Sequence, residues 1–270
     1  MIAVELGKLA RRPRTWLTLA MLVALPALVA ILLSVTKLAP RPGTGPAFLS
    51  AVLNNGALFS VAALAIVLPL FLPIAVSVIA GDAIAGEAQS GTLRYLLARP
   101  VGRTRLLVAK LVTVFVFVAV AVVVVAGAGY LIGTALFGSS TGAGTASISG
   151  TTLTQGQILV RTVIAIGYVA FSMLGVAAIG LFLSTLTDSP LSATLGALAF
   201  LVGSSLLLTI DAARPLQPYL PTRYWLSFVD LFRDPILWRN IERGVGLQAV
   251  YVVVALAAAW AVFAAKDVKD

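Results

Sequence analysis

The sequence predicts an all-α integral membrane protein of six transmembrane helices, and three observations carry that reading. Of 270 residues, 60% are hydrophobic and only 11% charged, with a mean hydropathy of +1.05; a soluble domain has about a quarter of its residues charged. Six apolar runs approach the roughly 20 residues that cross a ~30 Å hydrocarbon core. The basic residues gather in short stretches beside those runs, the arrangement that orients a chain in a bilayer.

The chain reads as one transmembrane domain over 1–270, with runs at 17–36, 56–80, 108–133, 160–183, 191–210 and 246–265. The first is longer than the apolar stretch of a cleavable leader and no clear A-x-A site follows it, so it reads as a span. Arg161 and Lys110, at the edges, are the ionisable residues these runs touch. Lys8, Arg11, Arg12, Arg14, Arg94, Arg99, Arg103, Arg105, Lys110, Lys266 and Lys269 fall on one side of the resulting topology. The other side holds eight basic residues in longer stretches, and five of these, in the last loop, are offset by Asp211, Asp230, Asp234 and Glu242. The bias places both termini in the cytoplasm.

Composition excludes several chemistries. With no cysteine and no histidine, the chain offers no thiol chemistry, no Cys-ligated metal and neither the commonest general base nor the commonest zinc ligand. The net charge of +9 sits where topology signals sit, which argues against nucleic acid as a partner. No G-x-x-x-x-G-K-[ST] occurs, so no phosphate-cradling loop is present and ATP hydrolysis is not expected of this chain. An ion-driven carrier keeps acids inside its spans, and here Asp82, Asp188 and Asp211 lie at span ends. A non-transporting assembly protein is the other alternative.

Between the spans, residues 1–16 read as a helix on the inner membrane surface. Ile2, Leu6 and Leu9 recur at helical spacing, Glu5, Lys8, Arg11 and Arg12 supply the polar side, and Pro13 ends or bends the helix. Residues 138–157 are rich in Gly, Ser and Thr and read as an external loop. In the external segment 211–245, Thr222 is placed to cap an amphipathic, re-entrant helix over 222–239. Its apolar face is Trp225, Phe228, Val229, Phe232 and Ile236, with Trp238 nearby, an aromatic element expected in the outer leaflet. Gly127, Gly129 and Gly133, with Gly167, Ser172 and Gly175, suit close helix approach or a path lining. Pro26, Pro69 and Pro73 are candidate kinks.

Segment 81–107, with Lys110 just beyond, carries the strongest signal. Asp82 and Glu87 precede Ser90-Gly91-Thr92, where a helix break is expected; Leu93, Leu96 and Leu97 follow at i, i+3, i+4, then Pro100, Arg103, Arg105 and Lys110. A leucine face on a helix too short to span, flanked by both signs of charge, suits docking to a cytoplasmic protein. The pattern D-x4-E-x3-G-T-L-x3-L-x2-P-V-x-R-x6-K, from Asp82 to Lys110, resembles the segment after the second span of ABC type-2 transporter permeases. The basic amphipathic N-terminus, the six spans, the element before the last span and Phe263-x3-Asp267 are similar to that family, although Ala264, Ala265 and Lys266 stand where a basic pair is usual. The resemblance implies a permease subunit of an ATP-binding-cassette exporter in a bacterial-type inner membrane. Two copies of a separate ATPase would bind the ATP and Mg, leaving this chain without a cofactor, and a second permease copy, identical or homologous, would complete the complex. It further implies that Asp82, Glu87, Gly91, Thr92, Leu93, Leu97, Pro100 and Arg103 contact the ATPase.

Overall fold

In hydrocarbon an unpaired segment can satisfy its own backbone polar groups only as a helix, and the apolar runs fold accordingly. The computed structural model describes residues 2–36, 48–49, 51–53, 55–91, 103–138, 145–146 and 152–265. Its helices are α1 (Ile2–Arg11), α2 (Pro13–Thr36), α3 (Phe59–Val67), α4 (Phe71–Gln89), α5 (Arg103–Phe137), α6 (Gln155–Leu186), α7 (Pro190–Leu207) and α8 (Trp238–Ala265). Six of them, α2 and α4 to α8, are long and apolar enough to cross a membrane. A two-residue antiparallel pairing of Thr145–Ala146 with Thr152–Leu153 lies between α5 and α6.

Local chemistry sets the helix ends. Arg12 separates α1 from α2, and Pro13 occupies the first position of α2, where its missing N–H costs nothing. Thr154 and Gln157 form a reciprocal capping box at the start of α6, and the Ser189 hydroxyl accepts from the Ser192 N–H at the start of α7.

The second apolar run departs from the expected 56–80. It breaks at Leu68–Leu70, because Pro69 and Pro73 cannot donate to the carbonyls four residues earlier, and Leu70 leaves helical geometry with φ −139° and ψ −58°. Beyond the break α4 continues past residue 80, through Asp82 and Glu87, to Gln89. Nothing between Ala80 and Gln89 stops it. Gly91, at φ +69°, does, in the left-handed conformation that glycine adopts freely. Pro26, by contrast, lies within an uninterrupted α2.

α4 and α6 form the centre of the bundle. Of the apolar window in each, 56% is buried, against 28% in α2 and α7 and 22% in α8. α6 packs on α4, α5, α7 and α8, while α2 and α3 pack on α5. Since lipid tails are as apolar as the side chains, such contacts depend on close packing rather than on expulsion of water. Gly133 and Gly129 of α5 provide it: a Cβ on Gly133 would overlap the Gly56 carbonyl and Phe59, and one on Gly129 would press on Ser60 and Ala63.

A paired substitution tests this packing. Gly133→Ala should destabilise the detergent-solubilised protein by about 1–3 kcal/mol through overpacking. Gly127→Ala, where a Cβ meets nothing within 4 Å, should stabilise by about 0.5–1 kcal/mol through reduced backbone entropy. Thermal unfolding of the two variants measures both.

Candidate functional site

Charged residues of α1 and α5 meet at the end of α4. Lys110, one turn past the start of α5's apolar stretch, is 5% exposed, and its ammonium donates to Glu5 Oε2 and to Glu87 Oε1, each at 2.5 Å. Lys8 completes the group, donating to Glu5 at 2.8 Å and to Glu87 at 3.3 Å. Glu5 and Glu87 are themselves buried, at 6% and 5% exposure. Two carboxylates and two ammonium groups therefore balance in one cluster. An isolated buried ion costs several kcal/mol, so only a complete set is tolerable there. A second pair, Arg12 with Asp82, lies nearer the membrane-spanning part of α4.

An apolar floor supports these charges. Ile79, Ala83, Leu9, Thr113 and Val114 line a cavity of about 30 Å³ beside Glu5, Lys8, Arg12 and Lys110. On the far side of α4, Ile84 packs with Leu106, Leu107, Leu181 and Phe263, which joins α4, α5, α6 and α8. The Trp260 indole N–H reaches the Thr104 hydroxyl at 3.0 Å, a further tie between α8 and α5.

Ser184 of α6 was not singled out by sequence reasoning, yet it enters the backbone of α4 between the two acids. Its hydroxyl accepts from the N–H groups of Ile84 and Ala85, at 3.0 and 2.8 Å, and donates to the Gly81 carbonyl at 2.7 Å. Ser184 lies between Leu183 and Thr185 near the end of an apolar run, and nothing in its local sequence marks it. Lys110 did carry a signal: a lone ammonium opening a long apolar run is expected to find a specific partner.

The residues expected to contact an ATPase are thus divided. Asp82 and Glu87 are engaged within the chain. Gly91 ends α4, and Arg103 begins α5. Thr92, Leu93, Leu97 and Pro100 lie outside the described residues. Of the surface-helix residues, Glu5 is buried against α4 and α5, whereas Lys8, Arg11 and Arg12 lie on the exposed side. Lys110 and Arg161, taken as marginal to their spans, are both buried, and the Arg161 guanidinium donates to the Arg233 carbonyl at 2.9 Å.

The aromatic element before the last span is corrected. Trp225, Phe228 and Phe232 are 4%, 0% and 1% exposed, so they fill the protein core and do not anchor in the outer leaflet. Trp238, at 47%, starts α8. The segment is a 3-10 helix over Trp225–Phe232, not an α-helix to residue 239, and Trp225, Phe228 and Leu231 fall on its buried face at the three-residue repeat of that helix. Thr222 does not cap it; its hydroxyl pairs with that of Ser204 at 2.7 Å. Side chains from the bundle hold the segment: Tyr168 donates to the Tyr224 carbonyl at 2.6 Å, and Gln248 to that of Pro221 at 2.7 Å. Phe232 also meets Phe48 edge to face, ring centroids 4.8 Å apart.

Electrostatics predicts how α1 responds to pH. Burial alone would raise the pKa of Glu5, but the hydrogen bonds and charges of Lys110 and Lys8 outweigh it and hold the carboxyl below its ordinary value of 4.5. Burial would lower Lys8, but Glu5 and Glu87 raise it above its ordinary 10.5. The docked state therefore favours ionised Glu5, a contribution complete above pH 4.5 and lost as pH falls below it. The Lys8 contribution is complete below 10.5 and lost as pH rises further. A nitroxide on Ala3→Cys should accordingly stay immobile through the neutral range and loosen reversibly as the solution is taken below the ordinary carboxylate value.

With this geometry in view, comparison with known proteins is informative. A search among curated proteins returned no match. The family model described as ABC-2 family transporter protein matches residues 1–204, from α1 through most of α7, and so includes every residue of the charge cluster. The chain belongs to the ABC-2 family of transporter membrane proteins.

Proposed function

We propose that the chain is the permease subunit of an ATP-driven exporter and that a separate ATPase docks on the segment following α4. One observation carries this reading most directly. α4 runs unbroken from Phe71 to Gln89, a rigid rod of about 28 Å at 1.5 Å per residue. One end of the rod enters the Asp82-to-Lys110 motif and the other meets the proline joint at Leu68–Leu70. Force applied at the motif would therefore reach the middle of the bundle without being absorbed on the way.

At the joint lies a cavity of about 200 Å³, bounded by Pro69, Leu70, Pro73, Leu201, Leu206 and Trp225. Its lining is overwhelmingly apolar, which suits a hydrophobic or amphipathic cargo better than a small hydrophilic ion. The basic residues beside α1 and α5 favour a cytoplasmic position for the motif end. The ATP and Mg would be held by the partner, in keeping with a sequence that lacks a phosphate loop. By likeness to the family, the working complex has two ATPase subunits and two permeases, moves cargo outward, and sits in a bacterial-type inner membrane. An ion-driven carrier is disfavoured because Glu5, Asp82 and Glu87 are engaged in ion pairs, whereas a coupling-ion site must release and rebind its ion in each cycle.

Co-expression with each ABC-type ATPase subunit of the source genome that lacks its own membrane domain tests the reading. One such ATPase should co-purify with the wild-type permease and raise its ATP turnover when cargo is supplied. Leu93→Asp with Leu97→Asp should abolish co-purification without altering permease stability. ATP turnover indifferent to both permease and cargo contradicts the proposal.

A further inference from the structure

We propose that Lys110, Glu5 and Lys8 are positioning residues, which clamp the N-terminal helix α1 to the ends of α4 and α5 so that α1 and the coupling motif move as one body. The part of this inference that concerns coupling rests on the function proposed above; the clamp itself does not.

The geometry makes the clamp specific. The backbone of α1 packs against α5 and α2, and it is tied to α4 by two side-chain straps. Lys8 reaches Glu87, and Arg12 reaches Asp82. Going up α4 from 82 to 87 means going down α1 from 12 to 8, so the straps align α1 antiparallel to the last turns of α4. Lys110 then bonds both helices at once, joining residues 105 and 23 positions away in the chain. Any movement of α1 away from α4 would expose a carboxylate and an ammonium that share a poorly hydrated site. Buried pairs broken on one side are strongly destabilised, while exposed pairs are nearly neutral. This cluster belongs to the first kind, since its two acids and Lys110 are each 6% exposed or less.

The consequence for the motif is concrete. Its two acids, Asp82 and Glu87, hold α1, and its last residue, Lys110, bonds Glu87 together with Glu5 of α1. Contact with the ATPase then falls to the intervening residues, from Gly91 to Arg103. α1 would ride with the end of α4 and carry its displacement to α2, to which Arg12 links it and against which it packs.

The chain has no cysteine, so a single reporter thiol is available by design. Thr113 is 7% exposed and lines the small cavity beneath α1. Thr113→Cys should react slowly with a water-soluble maleimide in the otherwise unchanged protein. Adding Lys110→Met should speed the reaction about tenfold, because the unclamped helix opens more often. Lys110→Arg, which keeps the charge, should stay near the original rate. Glu5→Gln, which keeps the shape and is expected to fold even where Lys110→Met does not, should fall between them. In the complex with the ATPase, Lys110→Met should retain the bound ATPase but lose stimulation of its turnover by cargo. Unchanged labelling in Lys110→Met and Glu5→Gln overturns the clamp. Loss of ATPase binding with labelling unchanged also overturns it, since Lys110 would then be a contact residue. If the ATPase binds no variant, the unmodified protein included, the proposed function fails, and labelling still decides the clamp.

Discussion

The ammonium of Lys110, shared between Glu5 and Glu87, is the interaction on which the arrangement of this end of the molecule depends. A bilayer protein can place charge at the edge of its apolar core only where an opposite charge is supplied in the same place. Here half of the opposite charge comes from Glu87 on the neighbouring α4 and half from Glu5 of the N-terminal helix, 105 residues away. Meeting that requirement folds α1 back onto α4 and α5, and it fixes which face of α1 is turned inward. The exposed face is left with Arg11 and part of Lys8 and Arg12, a basic surface facing away from the cluster.

The rest of the bundle transmits what happens there. α4 is central and continuous, and α6 grips it twice: Ser184 bonds its backbone, and Gly180 lets Ala80 approach closely. At the other end of the bundle the 3-10 segment Trp225–Phe232 plugs the space between α6 and α8, and the carbonyls that flank it, of Tyr224, Pro221 and Arg233, accept from Tyr168, Gln248 and Arg161. The proline joint separates these two regions. A stiff rod between a clamped end and a jointed end is a suitable shape for a coupling element, in a family whose members serve transport.

The sequence made the helices readable because span length and apolar composition are local properties, written within about 20 consecutive residues. It placed the break at Ser90-Gly91 but missed the continuity of α4 and the partners of its acids, for the opposite reason. Asp82 and Glu87 read as part of a short helix of their own ending at the Ser90-Gly91 break, whereas that helix continues from the span without interruption, and the partners of the two acids, Arg12, Lys8 and Lys110, lie 23 to 79 residues away. The 222–239 segment misled in a similar way. Its aromatic face was recognisable, but whether Trp225 and Phe228 meet lipid or protein is decided by α6 and α8, far off in the chain. Glu5 and Lys8 were noted as one polar face of a surface helix. That Glu5 turns inward while Arg11 turns out is set by tertiary pairing, which no helical spacing reveals. Ser184 had no local signal because one hydroxyl in an apolar run more often bonds its own helix.

The central claim, that α1 and the end of α4 form one rigid unit, is most directly tested by a distance measurement between them. Nitroxides on Ala3→Cys and Gln89→Cys, both exposed positions, can be followed by pulsed electron paramagnetic resonance in the reconstituted complex, nucleotide-free and with ATP trapped. A single narrow distance that does not change between the two states is the predicted result. A distance that shifts or broadens when ATP binds would show α1 moving independently of α4, and would contradict the account.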